Sequence, residues 1–234
     1  MKIRFSVLVA ALFLISIIGQ AAAEEPYPNK KDKVGYSIGI NMGRDFAKRE
    51  LDIGIEAFVQ GLKDGLSGAV PRMTEEQRQE TLVKLGEEMK ARQEAKVKME
   101  TEKNRKAGQE FMAANAKKEG VVVLDSGLQY KIVKEGTGEK PGPEDTVTVH
   151  YKGSLPDGTI FDSSEKRGQP ATFALNRVIK GWSEGLQLMK AGAKWIIYLP
   201  PQLAYGARGA KPLIGPEQSL VFEVELLSVE KKKE

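Results

Sequence analysis

The hydrophobic rhythm of this chain changes twice. Between residues 32 and 69, apolar positions recur every three or four residues, the period of a helix with one apolar face. Val34, Ile38, Met42 and Phe46 line one such face, and Ile55, Phe58, Val59, Leu62 and Leu66 line a second, ended by Ser67-Gly68. Gly35, Gly39 and Gly43 form another row on the first helix. A glycine costs a helix about 1 kcal/mol relative to Ala. Such a row points to close approach of another helix, the alternative being a weak, frayed one. Two helices this small cannot bury both stripes by themselves. A second copy of the chain is the economical partner.

Residues 74–118 carry a different pattern. Pro71 precedes them, Thr74 and Gln77 have capping-box spacing, and no proline follows until the pattern ends. Beyond Met89 the sequence is mostly Lys, Glu, Arg, Gln and Ala, with only scattered Val97 and Met99. Sustained apolar heptads are missing, which argues against a long coiled coil. Glu80–Lys84, Glu94–Lys98 and Glu102–Lys106 have the spacing of helix-stabilising pairs. The pattern predicts a solvated helix about 65 Å long that keeps the two ends of the molecule apart. Gly86 and Gly108 are its weak points, and Gly120 is its stop.

From residue 121 the period becomes two. Leu128, Tyr130 and Ile132, then Val147, Val149 and Tyr151, then Trp195, Ile197 and Leu199, then Leu220, Phe222, Val224 and Leu226 form alternating apolar faces. Asp157-Gly158 reads as a hairpin turn. A short helix at 178–189 interrupts the strands. The fold class is α+β: an antiparallel sheet wrapped on a short helix, preceded by a long helix and a small all-α segment.

Composition adds boundaries. Lys2 and Arg4 precede the apolar run from Phe5 to Ile18, and Ala21-Ala22-Ala23 follows, the pattern of a cleaved export signal over residues 1–23. The organisation expected is then 24–70 helical dimerisation, 71–120 connecting helix and 121–234 sheet domain. The chain has no cysteine, so an exported product depends on its core rather than on disulfides. Formal charge is +4, and falls to +2 without Lys2 and Arg4. That balance gives no argument for nucleic acid or a membrane surface. Lys231-Lys232-Lys233 reads as a solvated tail. Neither a nucleophile–base pair nor a metal cluster stands out. His150, the single histidine, falls on the polar face beside Tyr151 and reads as structural or solvated.

The segments VHYKGSLPDGTIFDSS (149–164), VIKGWSEGLQLM (178–189), LAYGARG (203–209) and LVFEVELL (220–227) carry most of the aromatic residues of interest. By pattern alone, Tyr151, Phe222 and Trp182 are better explained by a core, and Asp162 by a turn cap with Ser163 and Ser164. Taken together and in this order, the four segments resemble the FKBP-type peptidyl-prolyl cis-trans isomerases. YSIGINMGRDF (36–46) and AFVQGLKDGLSG (57–68) resemble the exported dimeric branch of that family, the Mip and FkpA proteins. The resemblance implies a pocket in which Tyr151, Phe161, Asp162, Ile179, Trp182, Tyr205 and Phe222 act on the substrate. Arg167, Phe173, Val178, Leu213 and Ile214 would help to bind it. It further implies that Trp182 floors the pocket, and that the Ile179 N–H and the Tyr205 hydroxyl hold substrate carbonyls. Ala171 stands where an aromatic is frequent, and Ala210 where a loop histidine is common; both bear on specificity and on affinity for macrolide inhibitors. The implied partners are unfolded or partly folded proline-containing polypeptides and a second copy of the chain, with no cofactor, metal or nucleic acid. The implied place is the periplasm, with outer-membrane association as a variant. A chaperone or a peptide-binding module without turnover is the competing reading.

Overall fold

The computed structural model describes residues 26–232. The expected signal at 1–23 and Lys233 lie outside the described residues. The chain divides into two compact units, one ending at Thr74 and the other starting at Glu75.

The first unit contains α1 (Lys30–Lys48) and α2 (Ile55–Ser67). The Asn29 side chain caps α1 by accepting the Asp32 N–H at 2.8 Å. Gly68, at a positive φ of 68°, closes α2. Phe46 meets Phe58 edge to face at 5.5 Å between ring centres. Little else of the apolar stripes is covered: Ile38 is 55% exposed and Leu62 54%. A Cβ placed on Gly35, Gly39 or Gly43 would meet nothing within 4 Å.

The second unit begins with α3 (Glu75–Asn115), 41 residues and so about 60 Å long. Seven antiparallel strands follow: β1 (Val121–Val123), β2 (Gln129–Lys134), β3 (Thr146–Ser154), β4 (Ile160–Ser163), β5 (Ala171–Ala174), β6 (Lys194–Leu199) and β7 (Leu220–Glu230). Their order is β1-β2-β6-β7-β3-β4, with β5 also paired to β3. Register places Tyr151 opposite Val224, and both Gly153 and Ile197 opposite Phe222. Alternation then sends Val147, Val149, Tyr151, Phe222, Val224 and Leu226 into the core.

On that apolar face lies α4 (Lys180–Leu188), with Trp182 and Leu186 buried beneath it. The helix sits close because Gly181 has no side chain: a Cβ there would fall 2.3 Å from Leu199 Cδ2. The end of α3 packs on the opposite face at β2 and β6. Gln129 and Tyr198 are register partners. The Gln129 amide donates to the Met112 carbonyl at 2.9 Å, and Tyr198 packs on Phe111. The long helix is therefore not solvated along its whole length. Glu80–Lys84 forms as expected at 2.7 Å, but Glu94 meets Lys90 and Glu102 meets Arg105.

The C-terminal lysines depart from a solvated tail. Lys231 Nζ reaches Asp145 Oδ2 at 3.0 Å, the Lys232 N–H donates to Oδ1 at 3.0 Å, and Lys232 Nζ pairs with Glu144. The Gly142 N–H also donates to Asp145, at 2.6 Å. These donors, Gly142 first, hold the Asp145 carboxyl at about 2 instead of its ordinary 3.8. A carboxyl depressed in the fold contributes stability that is complete above its unfolded value and lost as pH falls toward the folded one. The Tm gap between the wild type and Asp145→Asn is therefore expected to be constant above about pH 5 and to shrink between about pH 4 and 2. Thermal melts across that range check it; a gap independent of pH would mean that the clasp does not depend on the carboxylate.

Candidate active site

A cavity of about 320 Å³ opens between the sheet and the start of α4. β3 supplies Tyr151, β4 supplies Phe161 and Asp162, β5 supplies Phe173, and β7 supplies Phe222. A single helical turn at Leu175–Arg177 brings Arg177 to the edge, followed by Val178 and Ile179. Leu175 is fully buried and anchors that turn. Ile179 is extended at the N-cap of α4, so the helix starts at the cavity wall. Its N–H has no partner among the described residues. Tyr205 stands between two short turns on the far side, 40% exposed.

Trp182 organises the aromatic set. Its ring meets Tyr151 at 5.0 Å, Phe222 at 5.3 Å and Phe173 at 5.4 Å, each edge to face. Phe161 meets Phe222 in the same manner at 5.6 Å. Edge-to-face pairing matches the positive rim of one ring to the negative face of the next and fixes ring orientation. Gly153 leaves room for it, since a Cβ there would come within 2.6 Å of Phe161.

A closed polar network lies at one side. The Tyr151 hydroxyl donates to Asp162 Oδ2, and Arg167 Nη1 donates to Oδ1. Arg167 Nη2 donates to the Tyr151 oxygen at 2.7 Å, and the guanidinium lies 5.4 Å from the Tyr151 ring centre. Burial by itself pushes the Asp162 carboxyl up, but Tyr151 and Arg167 outweigh it and leave it below its ordinary value. Burial, followed by the bond to Asp162, raises the Tyr151 phenol; burial raises that of Tyr205 as well. The bonds to Tyr151 and Asp162 raise Arg167 further. Each shift moves a group away from neutral pH, so Asp162 stays ionised, both phenols stay protonated and Arg167 stays charged. The Tyr205 hydroxyl has no hydrogen-bond partner among the described residues. It remains available to a ligand.

Nine of the residues expected at a site meet here: Tyr151, Phe161, Asp162, Phe173, Val178, Ile179, Trp182, Tyr205 and Phe222. Arg167 is reached through Tyr151 and Asp162 and does not line the cavity. Leu213 and Ile214 do not line it either. Leu213 is 52% exposed, while Ile214, 5% exposed, is drawn into the core by its backbone pairing with Ala210. Sequence reasoning missed Arg177; its signal was a basic residue directly before Val178-Ile179. His150 lies outside the cavity, with Nδ1 3.1 Å from Ser164 Oγ.

Residues 137–227 match the family model of the FKBP-type peptidyl-prolyl cis-trans isomerases. The chain belongs to this family. Residues 31–132 match the model of the domain amino terminal to FKBP-type isomerases. Among relatives, the Outer membrane protein MIP of Legionella longbeachae is 48% identical over 201 residues, 86% of each chain. The FKBP-type isomerase FkpA of Aeromonas hydrophila is 47% identical over 219 residues, 89% of this chain and 81% of that one. The crystal structure of FkpA from Escherichia coli superposes with a TM-score of 0.70 at 35% identity, covering 88% of this chain and 99% of that one.

Asp162 is the acceptor that both Tyr151 and Arg167 need. In Asp162→Leu the phenol and the guanidinium lose it together, and the wall loses its fixed charge. Prolyl-peptide kcat/KM is expected to fall about tenfold or more, equivalent to ~1.4 kcal/mol or above. Tyr151→Phe, which removes one donor and keeps the ring, should cost less. A protease-coupled peptide assay checks the order; an Asp162→Leu rate equal to wild type would make the network dispensable.

Proposed function

We propose that the cavity rotates Xaa-Pro bonds by taking them out of water, in polypeptides that have been exported and are not yet folded. The observation that carries this is an aromatic cavity whose Asp162 is held ionised and whose two phenols, Tyr151 and Tyr205, are held protonated. The uncatalysed rotation takes tens to hundreds of seconds because amide resonance resists twisting. The planar amide is more polar than the twisted one. Water stabilises it accordingly, and a dry site withdraws that stabilisation before the transition state is reached. Only contacts stronger in the twisted form accelerate the step. In this reading Trp182 carries the proline ring, while the Ile179 N–H and the Tyr205 hydroxyl hold the flanking carbonyls. Tyr151, Phe161, Phe173, Val178 and Phe222 exclude water, and Asp162 with Arg167 fixes the polar wall.

Export is supported by the basic and apolar leader, Lys2 to Ile18, and by a relative named as an outer membrane protein. The uncovered apolar stripes of α1 and α2 favour a further reading: a homodimer joined through these helices. Two isomerase domains in one particle could hold a long client by avidity and act as a chaperone.

The isomerase reading is tested by pH and by substitution. Turnover should be flat between about pH 6 and 8, and His150→Gln should be neutral, because no general acid or base is used. Trp182→Ala with Phe222→Ala should abolish most turnover in a domain still folded by circular dichroism. A bell-shaped profile that vanishes with His150→Gln, or wild-type rates in the double variant, would sink the mechanism.

The dimer is tested separately. Gly39→Leu puts a bulky side chain where a partner helix would pass. Analytical ultracentrifugation should then show a monomer whose short-peptide turnover is intact and whose grip on a long unfolded client is weakened. A Gly39→Leu dimer, or a monomeric wild type at micromolar concentration, would refute it.

A further inference from the structure

The face of α3 turned toward the sheet domain is only partly apolar. In the second half of the helix the partly or fully buried positions are Val97, Thr101, Asn104, Gly108, Phe111, Met112 and Asn115. Met112 aside, they are spaced four, three, four, three and four residues apart, a heptad spacing filled mainly with small and polar residues. Asn115 is fully buried and donates to Gln129 Oε1 at 2.9 Å. A Cβ on Gly108 would lie 2.5 Å from Ser219 Oγ. Close approach at Gly108 turns an apparent weak point of the helix into its contact point.

One of these contacts leads to the cavity. Asn104 Nδ2 donates to the Pro216 carbonyl at 2.9 Å. The next residue, Glu217, donates its N–H to the Gly206 carbonyl at 2.9 Å. Gly206 directly follows Tyr205. A Cβ on Gly215 would come within 2.6 Å of Glu100 Oε1 and 2.8 Å of Asn104 Nδ2, so the loop backbone lies directly against these two side chains of the helix. The loop has no regular strand or α-helix to hold it, only the Ala210–Ile214 bridge and short turns.

We infer that Asn104, on the long helix, is a positioning residue for the isomerase: through Pro216, Glu217 and Gly206 it fixes the loop that presents Tyr205 to the cavity. The inference rests on Tyr205 serving the site as proposed above. It makes the second half of α3 part of the catalytic unit. A domain cut at residue 121 would lack the buttress.

The test is Asn104→Asp in the full-length chain. This change keeps the shape but sets an oxygen against the Pro216 carbonyl in place of a donor. Asn104→Ala, which removes the contact without repulsion, is the second variant. Both should lower prolyl-peptide kcat/KM by about three- to tenfold and speed hydrogen exchange at the Glu217 amide. Lys103→Gln, exposed on the same helix, should do neither. The deciding readout is a double-mutant cycle: in a Tyr205→Ala background, Asn104→Asp should cost nothing further. An equal loss with and without Tyr205, or wild-type kcat/KM in both Asn104 variants, overturns the inference. Were the wild type to bind the peptide without turning it over, the isomerase reading would fail by itself. The same cycle measured on peptide affinity would then still decide the coupling.

Discussion

The structure depends on holding Trp182 against a sheet without letting the sheet's own side chains fill the space above it. Gly181 brings α4 down onto Leu199. The indole then meets Tyr151, Phe173 and Phe222 each edge to face. Aliphatic residues in those positions would collapse into the gap, since side chains in a protein core pack as closely as an organic crystal. Rings locked edge to face cannot collapse that way. The cavity is what remains when four strands and one helix deliver rigid side chains that support one another and stop short of contact in the middle.

The same constraint explains why the charged residues form a closed set. A carboxylate beside an apolar cavity costs desolvation energy unless it is paired and hydrogen-bonded. Asp162 receives both Tyr151 and Arg167, and the Ser163 N–H as well, at 2.8 Å. The pair is more than a third exposed, so solvent screens its charge and its worth lies in geometry more than in stability. It orients Tyr151 and leaves the site with a fixed dipole and no proton to give near neutral pH. This is the chemistry that rotation about an amide calls for, as no covalent bond is made or broken.

Much of this was legible in the residues. Alternation along 147–151, 195–199 and 220–226 identified the strands because one face of the sheet is fully buried and the other only in part. Most of the cavity followed from motifs that bring Tyr151, Trp182 and Phe222 to one face. What was not legible depends on partners far away in sequence. The inward stripe of α3 reads as solvated because Thr101, Asn104, Gly108 and Asn115 are not hydrophobic; their burial follows from Gln129, Pro216 and Ser219. Lys231 and Lys232 read as a tail until Asp145 and Glu144 arrive beside them. Leu213 and Ile214 sit in a loop whose backbone pairing, not its hydrophobicity, decides which side chain turns inward. Arg177 carries no apolar signal at all.

The central claim is that rotation occurs in this cavity, over the Trp182 ring. Nuclear magnetic resonance on a short Xaa-Pro peptide tests it most directly. Exchange between the cis and trans proline signals would be followed as the protein is added, together with transfer from the proline ring protons to the Trp182 indole. Desolvation in the cavity predicts accelerated exchange at substoichiometric protein, with proline-to-indole transfer in the bound state. Accelerated exchange with the proline ring remote from Trp182, or transfer to Trp182 without any acceleration, would contradict it.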